Sequence, residues 1–201
     1  MRLFDILGVN FHDTTVFDSK MVLSDFKTKL DRLASSQLLQ PYQKFTVLNT
    51  FICPTLHYKF QTTPLNYIPA KFLSDADILT RTTLKEILQL PMDTRDSMLY
   101  SAKKYKGLGL LRNHWEAYLQ FISACNNLIK ANDIIVMNTR DLPTEKERAL
   151  QKLELDSCNT LDTSTRTLSK HLRDKEFSKW CSLLQKGKGV VLFKEFPSAN
   201  T

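Results

Sequence analysis

The order of apolar and polar positions divides the chain into a short β-prone start and a long helical remainder. Leu3-Phe4-Asp5-Ile6-Leu7-Gly8-Val9-Asn10-Phe11 is apolar and runs into the turn-like His12-Asp13-Thr14-Thr15, which predicts a strand. An isolated strand or hairpin is marginal in water, so this one reads as the edge of a sheet whose other strands lie elsewhere. From Ser19 the period changes. Leu23, Phe26, Leu30 and Leu33 recur at three- and four-residue steps, an amphipathic helix with Ser19 as its cap. Pro41 opens a second helix with Phe45, Leu48 and Ile52 on one face, and Pro54 should kink or end it. Pro64 and Pro69 frame a link to a third helix, from about Pro69 to Leu90. Its apolar side is Phe72, Leu79, Leu84, Ile87 and Leu88, and Pro91 is its stop. Three helices joined by short links make a bundle.

Beyond the bundle, Met98-Leu99-Tyr100 and Leu108-Gly109-Leu110-Leu111 read as brief extended pieces around a basic loop, Lys103-Lys104-Tyr105-Lys106. A fourth helix carries Trp115, Tyr118, Ile122, Cys125 and Ile129 at helical spacing. Residues 131–142 show no clear pattern. Pro143-Thr144-Glu145-Lys146-Glu147 places acids where a helix start favours them. A polar linker from Cys158 to Ser164 leads to a last helix over about Thr165 to Leu184, and Lys186 to Phe193 reads as a basic turn into a strand. The expected fold is mainly α: a helical bundle over 19–97, a second, basic helical segment over 98–201, and minor β at both ends.

At 201 residues, folding buries about 70% of the surface the unfolded chain exposes, enough for a core without metal or disulfide. Only 5 glycines favour helices over a turn-rich barrel. The net charge of +7 is uneven: eleven basic against ten acidic residues in 1–100, five against one in 101–130, four against seven in 131–165, and eight against three in 166–201. Two basic blocks separated by an acidic one fit a polyanion touched at two places, and equally fit soluble Lys-rich helix faces. Cys53, Cys125, Cys158 and Cys181 lack the spacing of a zinc or redox motif and read as thiols of a reduced intracellular chain. No signal peptide or membrane-spanning apolar run is present, so no membrane partner is expected.

Asp75 and Asp77 form a D-x-D pair, the carboxylate chemistry of two-metal phosphoryl transfer. At i and i+2 of a helix they point to different sides, and acids in first turns favour the dipole, so a helix start accounts for them. His12, His57, His114 and His171 have no i,i+4 partner and no adjacent cysteine, which argues against a metal site. The glycines after Gly8 fall in Lys106-Gly107-Leu108-Gly109 and Lys186-Gly187-Lys188-Gly189, which serve either as turns or as backbone cradles for phosphate. Aromatics interleave with the basic blocks. Trp115 and Trp180 sit at core-compatible positions, whereas Tyr105, between Lys104 and Lys106, is the candidate for an exposed contact.

The order of these pieces resembles a known family. Phe4-Asp5-Ile6-Leu7-Gly8-Val9 resembles the F-x-Y-L-G-V strand that follows the catalytic palm in non-LTR (LINE-type) retrotransposon reverse transcriptases, with Ile6 where the family has an aromatic. The helices around Leu48-Asn49-Thr50-Phe51-Ile52-Cys53-Pro54-Thr55-Leu56 look like the thumb of those enzymes. Tyr105-Lys106-Gly107-Leu108-Gly109-Leu110 is similar to the G-G-L-G-[IL] signature after the thumb. Trp180-Cys181-Ser182-Leu183-Leu184 through Gly187-Lys188-Gly189-Val190 resembles the linker of the clade that inserts into ribosomal RNA genes.

The resemblance implies a division into a palm-edge remnant over 1–18, a thumb-like three-helix bundle over 19–97 and a linker-like basic helical segment over 98–201. It implies a fragment that holds an RNA–DNA template–primer duplex or structured RNA. The expected nucleic-acid-binding residues are Leu7, Gly8 and Val9 at the primer grip, with Lys103, Lys104, Tyr105, Lys106, Arg112, Arg173, Lys186 and Lys188. The catalytic Asp and the [FY]-A-D-D turn of the palm are absent, as are the fingers, so the chain is expected not to polymerise alone. No cofactor is expected in it, magnesium belonging to the intact parent enzyme, and the missing palm and fingers become its natural partner. Two rival readings are a domesticated helical module that binds protein and a translated product without function.

Overall fold

The computed structural model describes residues 17–131, 141–155 and 164–185, together with two short strands near the N-terminus. β1 (Phe4–Ile6) and β2 (Val9–Phe11) pair antiparallel, Phe4 opposite Phe11 and Ile6 opposite Val9. The stretch read as one strand therefore pairs with itself, an arrangement that an unbroken β-prone run does not distinguish from a single strand.

α1 (Ser19–Ser35) is capped one residue earlier than its sequence suggests: the Asp18 carboxylate accepts the Met21 amide at 3.0 Å. Val22, Phe26, Leu30 and Leu33 form its buried face. α2 (Pro41–Val47) starts with proline at its first position and a reciprocal bond from the Gln40 amide to Gln43. Pro54 does not end the helical run, which continues through it to Thr62. A π-helical turn, Leu48–Ile52, widens the helix just ahead of the proline, and the Cys53 amide reaches back to the Leu48 carbonyl before α3 (Cys53–Thr62) continues. A single 3₁₀ turn, Leu65–Tyr67, leads to α4 (Ala70–Ile87). That helix stops ahead of Pro91, at a left-handed Gln89 (φ 53°).

Met98-Leu99-Tyr100 is helical rather than extended: α5 (Asp96–Tyr100) is one short turn, too brief for periodicity to reveal. A 3₁₀ turn (Lys103–Tyr105) and an irregular stretch lead to α6 (Asn113–Ala131). α7 (Leu142–Lys152) carries Asp141 as its cap, and α8 (Thr165–Gln185) is the last described helix. The strand-like run after Lys186 lies outside the described residues.

α1 lies along α4, and α6 is the central element, packed against α3, α4, α7 and α8. One apolar core runs through all of them, from Val22 and Phe26 through Leu48, Leu56, Leu84, Leu99, Leu110 and Ile122 to Leu150, Leu168 and Leu172. Each such fully buried side chain contributes about 1.5–3 kcal/mol. The core crosses residues 97–98 without a gap, so bundle and following segment are held by the same apolar contacts. No helix among the described residues is long and apolar enough to cross a membrane.

Candidate nucleic-acid interface

The basic run at Lys103 begins where α5 ends. Ser101 is fully buried, its hydroxyl donating to the Ser97 carbonyl at 2.5 Å and its own carbonyl accepting the Gly109 amide at 2.9 Å. The Leu110 amide donates to Leu99 at 2.9 Å and the Leu108 amide to Met98 at 3.1 Å. These bonds close residues 102–107 into a tight loop on the surface. Lys106 takes the left-handed conformation (φ 60°) and so does Gly109 (φ 67°). Gly107 is needed for a different reason: a Cβ there would overlap the Ser101 carbonyl and side chain. The first Gly motif is thus turn chemistry, and it places Lys103, Lys104 and Lys106 together on an exposed corner.

Asn49, from the π-helical turn, fastens the exit of this loop. Its side-chain amide donates to Gly109 O at 3.4 Å and its Oδ1 accepts the Leu111 amide at 2.9 Å. The wide turn therefore positions the residue that joins the bundle to the basic loop.

Asp77 does the same for α6. It is the eighth residue of α4, not part of its first turn, so the dipole account of the D-x-D pair does not hold for it. Its carboxylate is buried and accepts the amides of Asn113 (2.7 Å) and His114 (3.3 Å), capping α6 from a neighbouring helix. Burial pushes this carboxyl up, while Arg112 and the two amides pull it back. Arg112 Nε lies 3.6 Å from Asp77 and its Nη1 3.7 Å from Glu176 of α8, with the guanidinium 5.2 Å from the ring centroids of both Tyr100 and Trp115. Arg112 ties α4, α6 and α8 together.

Lys104 pairs with Asp174 at 3.3 Å and lies 4.1 Å from the centroid of the Tyr105 ring. Hydrogen bonding to Tyr105 and Asp174 holds its ammonium above the ordinary value. Tyr105 in turn stacks on Phe177 of α8, centroids 4.0 Å apart and nearly parallel. One ring face is thereby taken up inside the protein. Trp115 is buried. Arg173 is half-buried beside Gly109, its guanidinium lowered by burial and drawn back by Glu116. Lys103 stands over the Phe45 ring at 5.6 Å.

Of the expected site residues, Lys103, Lys104, Tyr105, Lys106, Arg112 and Arg173 gather where the loop meets α8. Leu7, Gly8, Lys186 and Lys188 lie outside the described residues, and Val9 is described only as part of β2. Two further basic residues, Arg166 and Lys170, join the cluster and line a groove with Lys104 and Arg173. Their i,i+4,i+7 spacing with Arg173 on a predicted helix was a signal for them; the D-x-D pair marked Asp77 but not its capping of α6, and nothing local marked the role of Asn49. Among the described residues no three His, Cys, Asp or Glu side chains converge, and Asp77 is committed to the α6 amides. These residues do not fit a two-metal centre.

Comparison with known proteins bears on the origin of this arrangement. Over 78 residues, 38% of its length, the chain is 40% identical to a retrovirus-related Pol polyprotein from the type-1 retrotransposable element R2 of Popillia japonica, covering 17% of that protein. The chain is related to the R2 retrotransposon Pol polyproteins. Another R2 polyprotein of the same beetle is 28% identical over 133 residues, 66% of this chain and 21% of the relative. The Pol polyprotein of the type-2 element R2DM of Drosophila melanogaster is 27% identical over 151 residues, 73% of this chain and 14% of the relative. The chain thus spans about a fifth or less of the R2 polyproteins it matches. No family model matches it, and no solved structure does. The resemblance to non-LTR reverse transcriptases drawn from its ordered motifs is borne out at the level of the R2 family.

Proposed function

We propose that this chain is the nucleic-acid-holding portion of an R2-type polyprotein, a thumb-like bundle with a linker-like basic segment, which grips an RNA–DNA template–primer duplex or structured RNA without polymerising. The observation that carries the reading is the corner at Lys103, Lys104 and Lys106. Three lysines are displayed on a loop fixed by Gly107, Gly109 and Asn49 to both the bundle and α6. A rigid mount lowers the cost of ordering cationic side chains against a phosphate backbone. Arg173 adds charge beside the loop, and Arg112 holds the loop, α6 and α8 in register. By the family resemblance, Leu7, Gly8 and Val9 belong to the primer grip, and Lys186 and Lys188 to the nucleic-acid-binding residues of the linker-like segment. Contacts of this kind need no metal; magnesium belongs, in this reading, to the polymerising parent.

The test is fluorescence anisotropy of a labelled RNA–DNA hybrid at low and near-physiological salt, with circular dichroism to confirm a helical sample. Each phosphate neutralised adds about 0.9 to the slope of log K against log salt. Replacing Lys103, Lys104 and Lys106 by Ala should flatten that slope by about 2–3 and weaken binding at least tenfold. A helical sample that fails to bind the hybrid would sink this reading and leave a protein partner, or none.

A further inference from the structure

A second cationic feature lies beside the lysine corner. Arg166, Ser169, Lys170 and Arg173 share one face of α8 over about 10 Å of helix. Across a groove of about 400 Å³ stand Ala102 and Lys104. Positive charge therefore comes from both walls. Asp174, 3.3 Å from Lys104, is the acidic neighbour of that wall. The same stripe of α8 continues as Phe177 and Trp180, whose rings meet edge to face at 6.3 Å.

We propose that this groove holds the backbone of one unpaired nucleic-acid strand, two or three consecutive phosphodiesters, next to the duplex held at the lysine corner, with Lys104 and Arg173 shared between the two and Arg166 and Lys170 serving the single strand alone. The proposal rests on the nucleic-acid reading above and narrows it. The volume is that of a small-ligand cleft, so a single backbone enters and is reached from two sides. A duplex, in this proposal, stays at the lysine corner. No amide or carboxylate lines the groove to read base edges, so binding is through phosphate and indifferent to sequence. RNA and DNA strands share that chemistry.

The test uses the whole chain and three labelled probes: ten-residue oligo(U), ten-residue oligo(dT), and the RNA–DNA hybrid. Arg166 and Lys170 are exposed, so Arg166→Gln with Lys170→Gln leaves the fold in place. That variant should bind both oligomers about tenfold more weakly, with a salt slope smaller by about 1.4, two phosphates at 0.7 each. Its affinity for the hybrid should stay within about twofold of the parent chain. Ser169→Asp, which sets a carboxylate among the four cations, should weaken the oligomers in the same way. Unchanged oligomer binding in both variants, or equal losses on oligomers and hybrid, overturns the proposal. So does a parent chain that binds the hybrid and neither oligomer, a result that leaves the duplex grip standing.

Discussion

At the meeting of α3, α4 and α6, the side chains of His57, Asp77, Thr80 and Asn113 are all buried. Asn113 donates to the Thr80 hydroxyl at 3.2 Å, and the His57 ring stacks on Phe60. Burial pushes the His57 imidazole down to about 4, against a partial pull upward from Asn113. The unfolded chain takes up this proton near pH 6.5, whereas the folded chain resists until about pH 4. Stability from neutral His57 is complete above pH 6.5 and drains away as pH falls toward 4, by about 3 kcal/mol. Asp77 acts in the opposite sense. Its carboxyl is raised by burial, so its protonation favours the folded state, and that gain is lost as pH rises through its folded value. Urea unfolding at pH 7.5 and pH 5 should show lower stability at pH 5, and His57→Gln should remove most of the difference. An unchanged pH dependence in that variant would show that another group is responsible.

At the scale of elements, the helices were legible where apolar positions repeat over several turns, as in α1, α4, α6 and α8. What escaped the sequence were features set by partners distant along the chain. The pattern around Pro54 announced an interruption; that a π-helical turn absorbs it, with Asn49 turned onto a loop sixty residues later, depends on contacts no local window contains. α5 was hidden by its five-residue length. The loop it precedes closes tightly against Ser101. Gly107→Ala would force a methyl into the Ser101 backbone, at a cost of about 1–3 kcal/mol. The expected result is a melting temperature lower by several degrees together with weaker hybrid binding, since the lysine corner moves with the loop. A variant that melts and binds as the parent does would mean the loop tolerates another path.

For the molecule as a whole, the shared core predicts cooperative behaviour. Leu99, Leu110 and Ile122 belong to the same apolar cluster as Phe26 and Leu56, so the two regions read from sequence should not come apart in sequence order. Urea unfolding followed by far-ultraviolet circular dichroism and by fluorescence of Trp115 and Trp180 should give one coincident midpoint. Two separated transitions would show that the bundle and the following helices are stable independently. The candidate site was legible in part at this scale. The Lys-Lys-Tyr-Lys run and the basic spacing on α8 are visible in the sequence. Their convergence on one groove depends on how α5 docks against α8, and the dual grip of Arg112 on Asp77 and Glu176 belongs only to the folded chain.

The π-helical turn at Leu48–Ile52 also has a consequence for how this chain can vary through descent. Such a turn holds one residue more than the α-helix needs. Removing a single residue there would let α2 run directly into α3 as ordinary α-helix, and because the turn takes up its extra residue locally, Leu56 and Phe60 would keep their places in the core. What such a deletion disturbs is Asn49, which the widened turn sets against the loop at Gly109 and Leu111. Descent can therefore shed one residue here at little cost to the bundle, and the loss falls on the clasp that holds the basic loop.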